Sequence, residues 1–230
     1  MFFIAFYFLI LGILPRVKFE SAALTLFSVN SFLYGFYIAP VLSAQKSRID
    51  ELHKIVRAES NALFTMMLLT KNMPKSLRAK FRKEFDEYIQ ACADNKLKKA
   101  EKEYEDIISF CITYKGASKD NVDKLLAQVV SNQQNRTNFY LQMGNKVYSN
   151  EWMIMLVLFS ITLTFVLLID AGQMLSIRVV TALLCTGISM LMLNLVKLNS
   201  LTHKKAKQIW VPFTTLLHTN YYRIDESLED

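Results

Sequence analysis

The sequence predicts an all-α membrane protein with four transmembrane helices in two pairs and a helical cytoplasmic insert between the pairs. Two observations carry this. Four stretches, Met1–Leu14, Ser21–Gln45, Trp152–Ile169 and Val179–Val196, contain no Lys, Arg, Asp or Glu. At a rise of about 1.5 Å per residue, the last three cross, or nearly cross, a hydrocarbon core of about 30 Å. Backbone polar groups in lipid must be satisfied within the element, so runs of this length are helices. Second, charge is segregated. Residues 46–151 carry 19 Lys+Arg and 14 Asp+Glu, while the four stretches carry none. The mean hydropathy of +0.21 is therefore an average over two unlike materials. The predicted organisation is 1–45, first helix pair; 46–151, helical region continuous with the membrane helices; 152–196, second pair; and 197–230, C-terminal tail.

The first stretch is short for a span and is closed by Pro15-Arg16. No basic residue precedes Arg16 and no small-residue cleavage triplet follows, so it does not read as a signal peptide. A short or tilted span is the leading expectation. A helix lying in the interface, or a truncated start, are the alternatives. The second stretch carries Ser28, Asn30, Ser31, Tyr34, Gly35 and Tyr37. With no Pro or Gly after Gln45, it is expected to continue as one long helix through Ile49, Leu52, Val56, Leu63, Met66 and Met67, which keep mostly to helical spacing.

Asn72-Met73-Pro74 interrupts this pattern, and Pro74 suits the first turn of a new helix. That helix places Leu77, Phe81, Phe85, Tyr88 and Ile89 on one face. The next, about Leu97–Lys115, carries Tyr104, Ile107, Ile108 and Cys111. Lys115-Gly116 is expected to stop it through a left-handed glycine. Ser118 is placed to cap the last helix of the insert, with Val122, Leu125, Leu126, Val129 and Val130, running on through Phe139 and Leu141 towards Trp152. These stripes are too wide for solvated helices and must pack together or on neighbouring subunits.

Basic residues near the span ends set the orientation. Lys46, Arg48, Lys54, Arg57, Arg136, Lys146, Lys197, Lys204, Lys205 and Lys207 outweigh Arg16 and Lys18. The insert and both termini are therefore expected in the cytoplasm. The formal net charge of +7 belongs to this bias and not to nucleic-acid binding.

Catalytic and metal-binding patterns are not found. His53, His203 and His218 have no Cys or acidic partners at ligand spacing and read as surface histidines. The sequence contains no phosphate-binding glycine loop, dinucleotide fingerprint, nucleophile elbow or zinc-protease motif. Asp86-Glu87 and Glu105-Asp106 are adjacent pairs that point different ways on a helix. No cofactor, metal or enzymatic activity is expected. Cys92, Cys111 and Cys185 lack pairing or metal spacing and read as free thiols in a reducing compartment. Asn135-Arg136-Thr137 fits a glycosylation triplet but falls on the cytoplasmic side. The acidic end, Asp225–Asp230, reads as a solvated tail.

Polar residues within the spans carry more information. Asn30, near mid-span, needs a partner or water. One reading is interhelical hydrogen bonding. The other is that a face of the second span lines a polar path. No span holds an ionisable group near its middle, which argues against an ion-coupled transporter but not against a passive pore.

Ser28–Ala39 (SVNSFLYGFYIA), Arg48–Leu63 with its Glu59-Ser60-Asn61-Ala62-Leu63 element, and Leu69–Tyr88 around Met73-Pro74-Lys75 resemble a family of bacterial bestrophin-like integral membrane proteins. Gln208–Pro212 and Asn220-Tyr221-Tyr222 look like that family's terminus. The resemblance implies a bestrophin-like fold, self-association into a pentamer, inorganic anions as permeant ions, and the bacterial cytoplasmic (inner) membrane. It also implies that the second span lines the pore with a narrow neck of aromatic and aliphatic residues. Carried over, it makes Phe27, Asn30, Tyr34 and Tyr37 the pore-lining candidates, with Leu33 at the edge. The acidic calcium cluster expected after the fourth span is lacking, so calcium gating is not implied. The rival reading is a non-conducting membrane scaffold whose cytoplasmic helices dock a partner protein.

Overall fold

The computed structural model describes residues 2–15, 17–94, 96–170, 175–202 and 208–218. The described residues are helical almost throughout. The elements are α1 (Phe2–Ile13), α2 (Ser21–Leu69), α3 (Lys75–Ala93), α4 (Leu97–Thr113), α5 (Lys119–Gly144), α6 (Ser149–Leu168), α7 (Leu175–Asn199) and α8 (Val211–His218). One isolated parallel bridge joins Val17 and Ile169. Among the described residues, three helices are long and apolar enough to cross a membrane, within α2, α6 and α7. At 12 residues, α1 measures about 18 Å, well short of a hydrocarbon core.

The chain divides into two units, Met1–Ile49 with Lys146–His203, and Asp50–Asn145 with Lys204–Asp230. The division falls inside α2, which is a single helix of 49 residues, as its unbroken sequence predicts. The tail expected as a separate region is divided too, and its Gln208–His218 part counts with the second unit. Asp225–Asp230 lies outside the described residues, as do His203–Lys207 and Asn220–Tyr222.

In the first unit, α1 and α6 both pack on α7. Two apolar clusters form its core. Tyr34, Ile38, Val147, Met155, Met192 and Leu195 make one. Tyr7, Leu11, Val166, Ala182 and Cys185 make the other. The Tyr7 hydroxyl and Ser189 Oγ share a 2.6 Å hydrogen bond between α1 and α7. Val17 N–H donates to Leu168 O at 2.8 Å and Asp170 N–H to Val17 O at 3.0 Å, tying the two short connections together. Glu151 Oε2 accepts from the Tyr148 N–H at 3.1 Å at the start of α6. So α5 does not run on to Trp152: it ends at Gly144, and Val147 N–H instead donates to Asn199 Oδ1 at 2.9 Å.

In the second unit, α3 packs on α4, α4 on α5, and α8 on α3. The stripes read from periodicity are its core: Leu52, Val56, Leu63, Met66, Phe81, Phe85, Ile89, Ile107, Cys111, Val122, Leu125 and Val129 are all inaccessible to solvent. Val130 departs from its stripe and is exposed. Two local expectations are corrected. Ser118 stands at the α5 N-cap but makes no side-chain capping bond. Instead of ending at a left-handed Gly116, α4 ends at Thr113 with Tyr114 extended. A Cβ at 116 would meet the hydroxyl end of the Tyr114 side chain, which would have to move to admit it.

Candidate functional site

The four second-span candidates, Phe27, Asn30, Tyr34 and Tyr37, all turn from α2 towards the interior of the first unit. Asn30 Nδ2 donates to Thr162 Oγ1 at 2.8 Å and to Leu158 O at 3.2 Å. The Thr162 hydroxyl in turn donates to Leu158 O at 2.8 Å. This is the interhelical bonding that one reading of Asn30 expects. Tyr34 is buried, tilted against Phe159 with ring centroids 6.2 Å apart, and its hydroxyl reaches Ile188 O at 3.5 Å. Phe27 stacks on Phe165 at 5.0 Å, and Phe19 stacks on that ring at 4.2 Å. Tyr37, half-buried, packs against the Tyr34–Met192 cluster. A helix has two sides, and these residues occupy the one facing α6 and α7.

The other side of α2 is open. Thr25, Val29, Phe32, Phe36, Pro40 and Ser43 recur at three- and four-residue intervals and are all exposed. Leu33 flanks them and is exposed as well. Phe32 and Phe36 stack at 6.0 Å. Pro40 lies inside the helix. Having no N–H, it cannot donate to the Phe36 carbonyl one turn back.

The second unit contains a polar network that sequence reasoning missed. Glu59, on α2, is 3 % exposed, and Arg136, on α5, is 5 % exposed. Arg136 Nε lies 4.0 Å from Glu59 Oε1. The Tyr88 hydroxyl, from α3, donates to the same carboxylate oxygen. The Arg136 guanidinium sits 4.0 Å from the Tyr104 ring centroid and 5.5 Å from that of Tyr88, cation–π contacts with two rings that themselves pack 5.1 Å apart. The Tyr104 hydroxyl donates to Val129 O at 2.7 Å and accepts from Asn132 Nδ2 at 3.1 Å. The C-terminal segment closes this cage. Phe213 packs edge-on to Tyr88 at 6.4 Å, Trp210 lies 5.2 Å from Phe139, and the Ser60 hydroxyl donates to Pro212 O at 3.3 Å.

Burial governs the electrostatics here. Desolvation pushes the Glu59 carboxyl above its ordinary value, against the opposing pull of Tyr88, Arg136 and Asn132. Burial also works against the Arg136 charge, but the Tyr88 and Glu59 groups beside it outweigh that, and its pKa is raised. Burial pushes the Cys92 thiol up to about 12, so it is an inert thiol rather than a nucleophile. Glu59 falls on the stripe Leu52, Val56, Glu59, Leu63, Met66. Asn132 and Arg136 continue the stripe of Leu125 and Val129 towards Phe139. A charge in the middle of an apolar stripe was the available signal.

Further acidic groups gather on the surface. Glu84, Glu87 and Glu103 bring carboxylate oxygens within 4.8 Å of one another, all half-buried. A family model described as a Bestrophin-like domain matches residues 2–201. No curated protein and no solved structure matches the chain.

Proposed function

The chain belongs to the bestrophin-like family, and on that premise we propose that it assembles into an oligomeric channel, a pentamer, that conducts inorganic anions along an axis lined by α2. The observation that carries this reading is the open side of α2. Its middle, Val29, Phe32, Leu33 and Phe36, supplies the aromatic and aliphatic neck that the resemblance calls for. Its ends, Thr25 and Ser43, are hydroxylic. A carbonyl deprived of its helical donor at Pro40 is costly against lipid and cheap against water. In this arrangement Asn30 and Tyr34 brace the wall from behind, and Phe27 and Tyr37 pack beside them. The axis-facing role passes to the opposite side of the same helix.

The protein sits in a bacterial cytoplasmic membrane, with α1 as a short or tilted fourth span and the second unit and both termini in the cytoplasm. The basic excess of the second unit raises the local concentration of anions at that mouth. The test is reconstitution of the purified protein into planar bilayers under a KCl gradient. A reversal potential displaced towards the chloride equilibrium supports the reading. A well-folded oligomer with no conductance in any salt contradicts it and favours the scaffold, for which exposed Ile112, Val130 and Leu141 on α4 and α5 would be the docking residues.

A further inference from the structure

We propose that the groove between α4 and α5 binds a small zwitterion, an α-amino acid with an aliphatic side chain, its carboxylate on Arg136 and its ammonium on Glu101 and Glu105. The groove lies wholly within the second unit and has a volume of about 600 Å³, within the range of small-ligand sites. Glu101 and Glu105 line it from α4, with Ile108 one turn further on. Arg136, Tyr140 and Leu141 line it from α5. The two signs of charge stand at different depths. Arg136 is 5 % exposed and belongs to the floor, whereas Glu101 and Glu105 are exposed at the rim and make no ion pair with another described residue.

Arg136 has hydrogen-bonding capacity that its ion partner leaves unused. Its approach to Glu59 is 4.0 Å, from Nε to Oε1, beyond hydrogen-bond length. The Tyr104 and Tyr88 rings attract the guanidinium but offer its N–H groups no lone pair. The Tyr140 hydroxyl, which donates to Leu97 O at 3.4 Å, stands beside it to accept one of them. A guanidinium has five such donors, in a fork that fits a carboxylate. A ligand with negative charge alone would meet Glu101 and Glu105 at the rim, and one with positive charge alone would meet Arg136 below. Like-charge encounters of this kind reject a ligand. A molecule with both charges a few bonds apart satisfies both levels. Glu101 and Glu105 are one helical turn apart, neighbours on the α4 surface, and an ammonium has three donors to share between them. Half-buried Ile108 and exposed Leu141 offer the apolar surface for a side chain. The inference goes beyond the channel reading and does not rest on it, since it assigns a ligand to the second unit whether or not the first conducts.

The test is isothermal titration calorimetry on full-length protein in nanodiscs, with leucine, N-acetyl-leucine, which lacks the ammonium, and leucine amide, which lacks the carboxylate. Leucine is expected to bind about tenfold or more tightly than either of the others. Glu101→Gln with Glu105→Gln changes exposed side chains only. It is expected to weaken leucine by about tenfold and to leave N-acetyl-leucine no weaker, so that the two bind alike. A misfolded variant would lose both. Thr137→Trp, on the exposed α5 side of the groove, should block leucine while the unfolding temperature stays unchanged. A wild-type protein that gives no heat with leucine overturns the site. Leucine amide binding as tightly as leucine excludes Arg136, N-acetyl-leucine binding as tightly excludes the two glutamates, and either result contradicts the proposal. Leucine binding that survives Thr137→Trp lies elsewhere and contradicts it too. A protein that binds leucine as expected but conducts nothing leaves this inference standing and overturns the channel reading alone.

Discussion

The Tyr88 hydroxyl donates to Glu59 Oε1, joining α3 to α2, and Arg136 from α5 approaches that same oxygen at 4.0 Å. Three helices thus converge on one buried carboxyl group, and Phe213 of α8 packs edge-on to the Tyr88 ring beside it. Arrangements of this kind are expensive to break from one side, because the surviving partner is left desolvated. Glu59→Leu is therefore expected to destabilise the protein by about 3–5 kcal/mol. The double variant Glu59→Leu/Arg136→Met should recover much of that loss. Thermal unfolding followed by circular dichroism in detergent checks both. Additive effects of the two substitutions would show that the groups do not act as a pair.

The same network gives a pH dependence. Burial raises the Glu59 carboxyl in the folded chain, so the folded state holds this proton more tightly than the unfolded state. Its contribution is complete below the ordinary carboxyl pKa of about 4.3 and is lost as pH rises through the shifted value. The melting temperature of the wild type relative to Glu59→Gln is expected to fall as pH rises from acid towards neutrality and beyond. A difference that grows with pH would mean that the ionised carboxylate is the stabilising form.

Periodicity alone located most of the second unit's core, since Leu77, Phe81, Phe85, Tyr88 and Ile89 repeat at helical spacing and are buried. The continuity of α2 was legible from the lack of breakers after Gln45. The Glu59–Arg136 pair was not, because a charge on a helix is solvated by default and its exception depends on a partner 77 residues away in sequence. The same holds for Tyr7 and Ser189, which bond across 182 residues. For α2, composition marked the helix as informative, but choosing between its two sides required knowing which one α6 and α7 cover.

Asn30 tests which side of α2 lines the proposed path. Its amide is engaged by Thr162 and Leu158, so Asn30→Leu is expected to cost about 1 kcal/mol of stability and to leave anion selectivity unchanged. Thr162→Val should lose a similar amount, with the double variant less than additive. A selectivity change from Asn30→Leu without a stability change would place this side chain in the permeation path instead.

The C-terminal helix is structural in the same sense. Phe213 is inaccessible to solvent and stands edge-on to Tyr88. Phe213→Ala is expected to cost about 3–5 kcal/mol, read as a lowered unfolding temperature, with faster amide exchange in α3 and α8 by mass spectrometry. Unchanged exchange in both helices would show that α8 docks without supporting the bundle.

The central claim is that the open side of α2 faces water rather than lipid. Cysteine accessibility tests it most directly, since Cys92, Cys111 and Cys185 are all buried. Val29→Cys, Phe32→Cys and Phe36→Cys channels should lose or change current on exposure to a charged, membrane-impermeant thiol reagent, while Tyr34→Cys should not respond. Unmodified cysteines at 29, 32 and 36 in a conducting channel, or modification of Tyr34→Cys instead, would contradict the account.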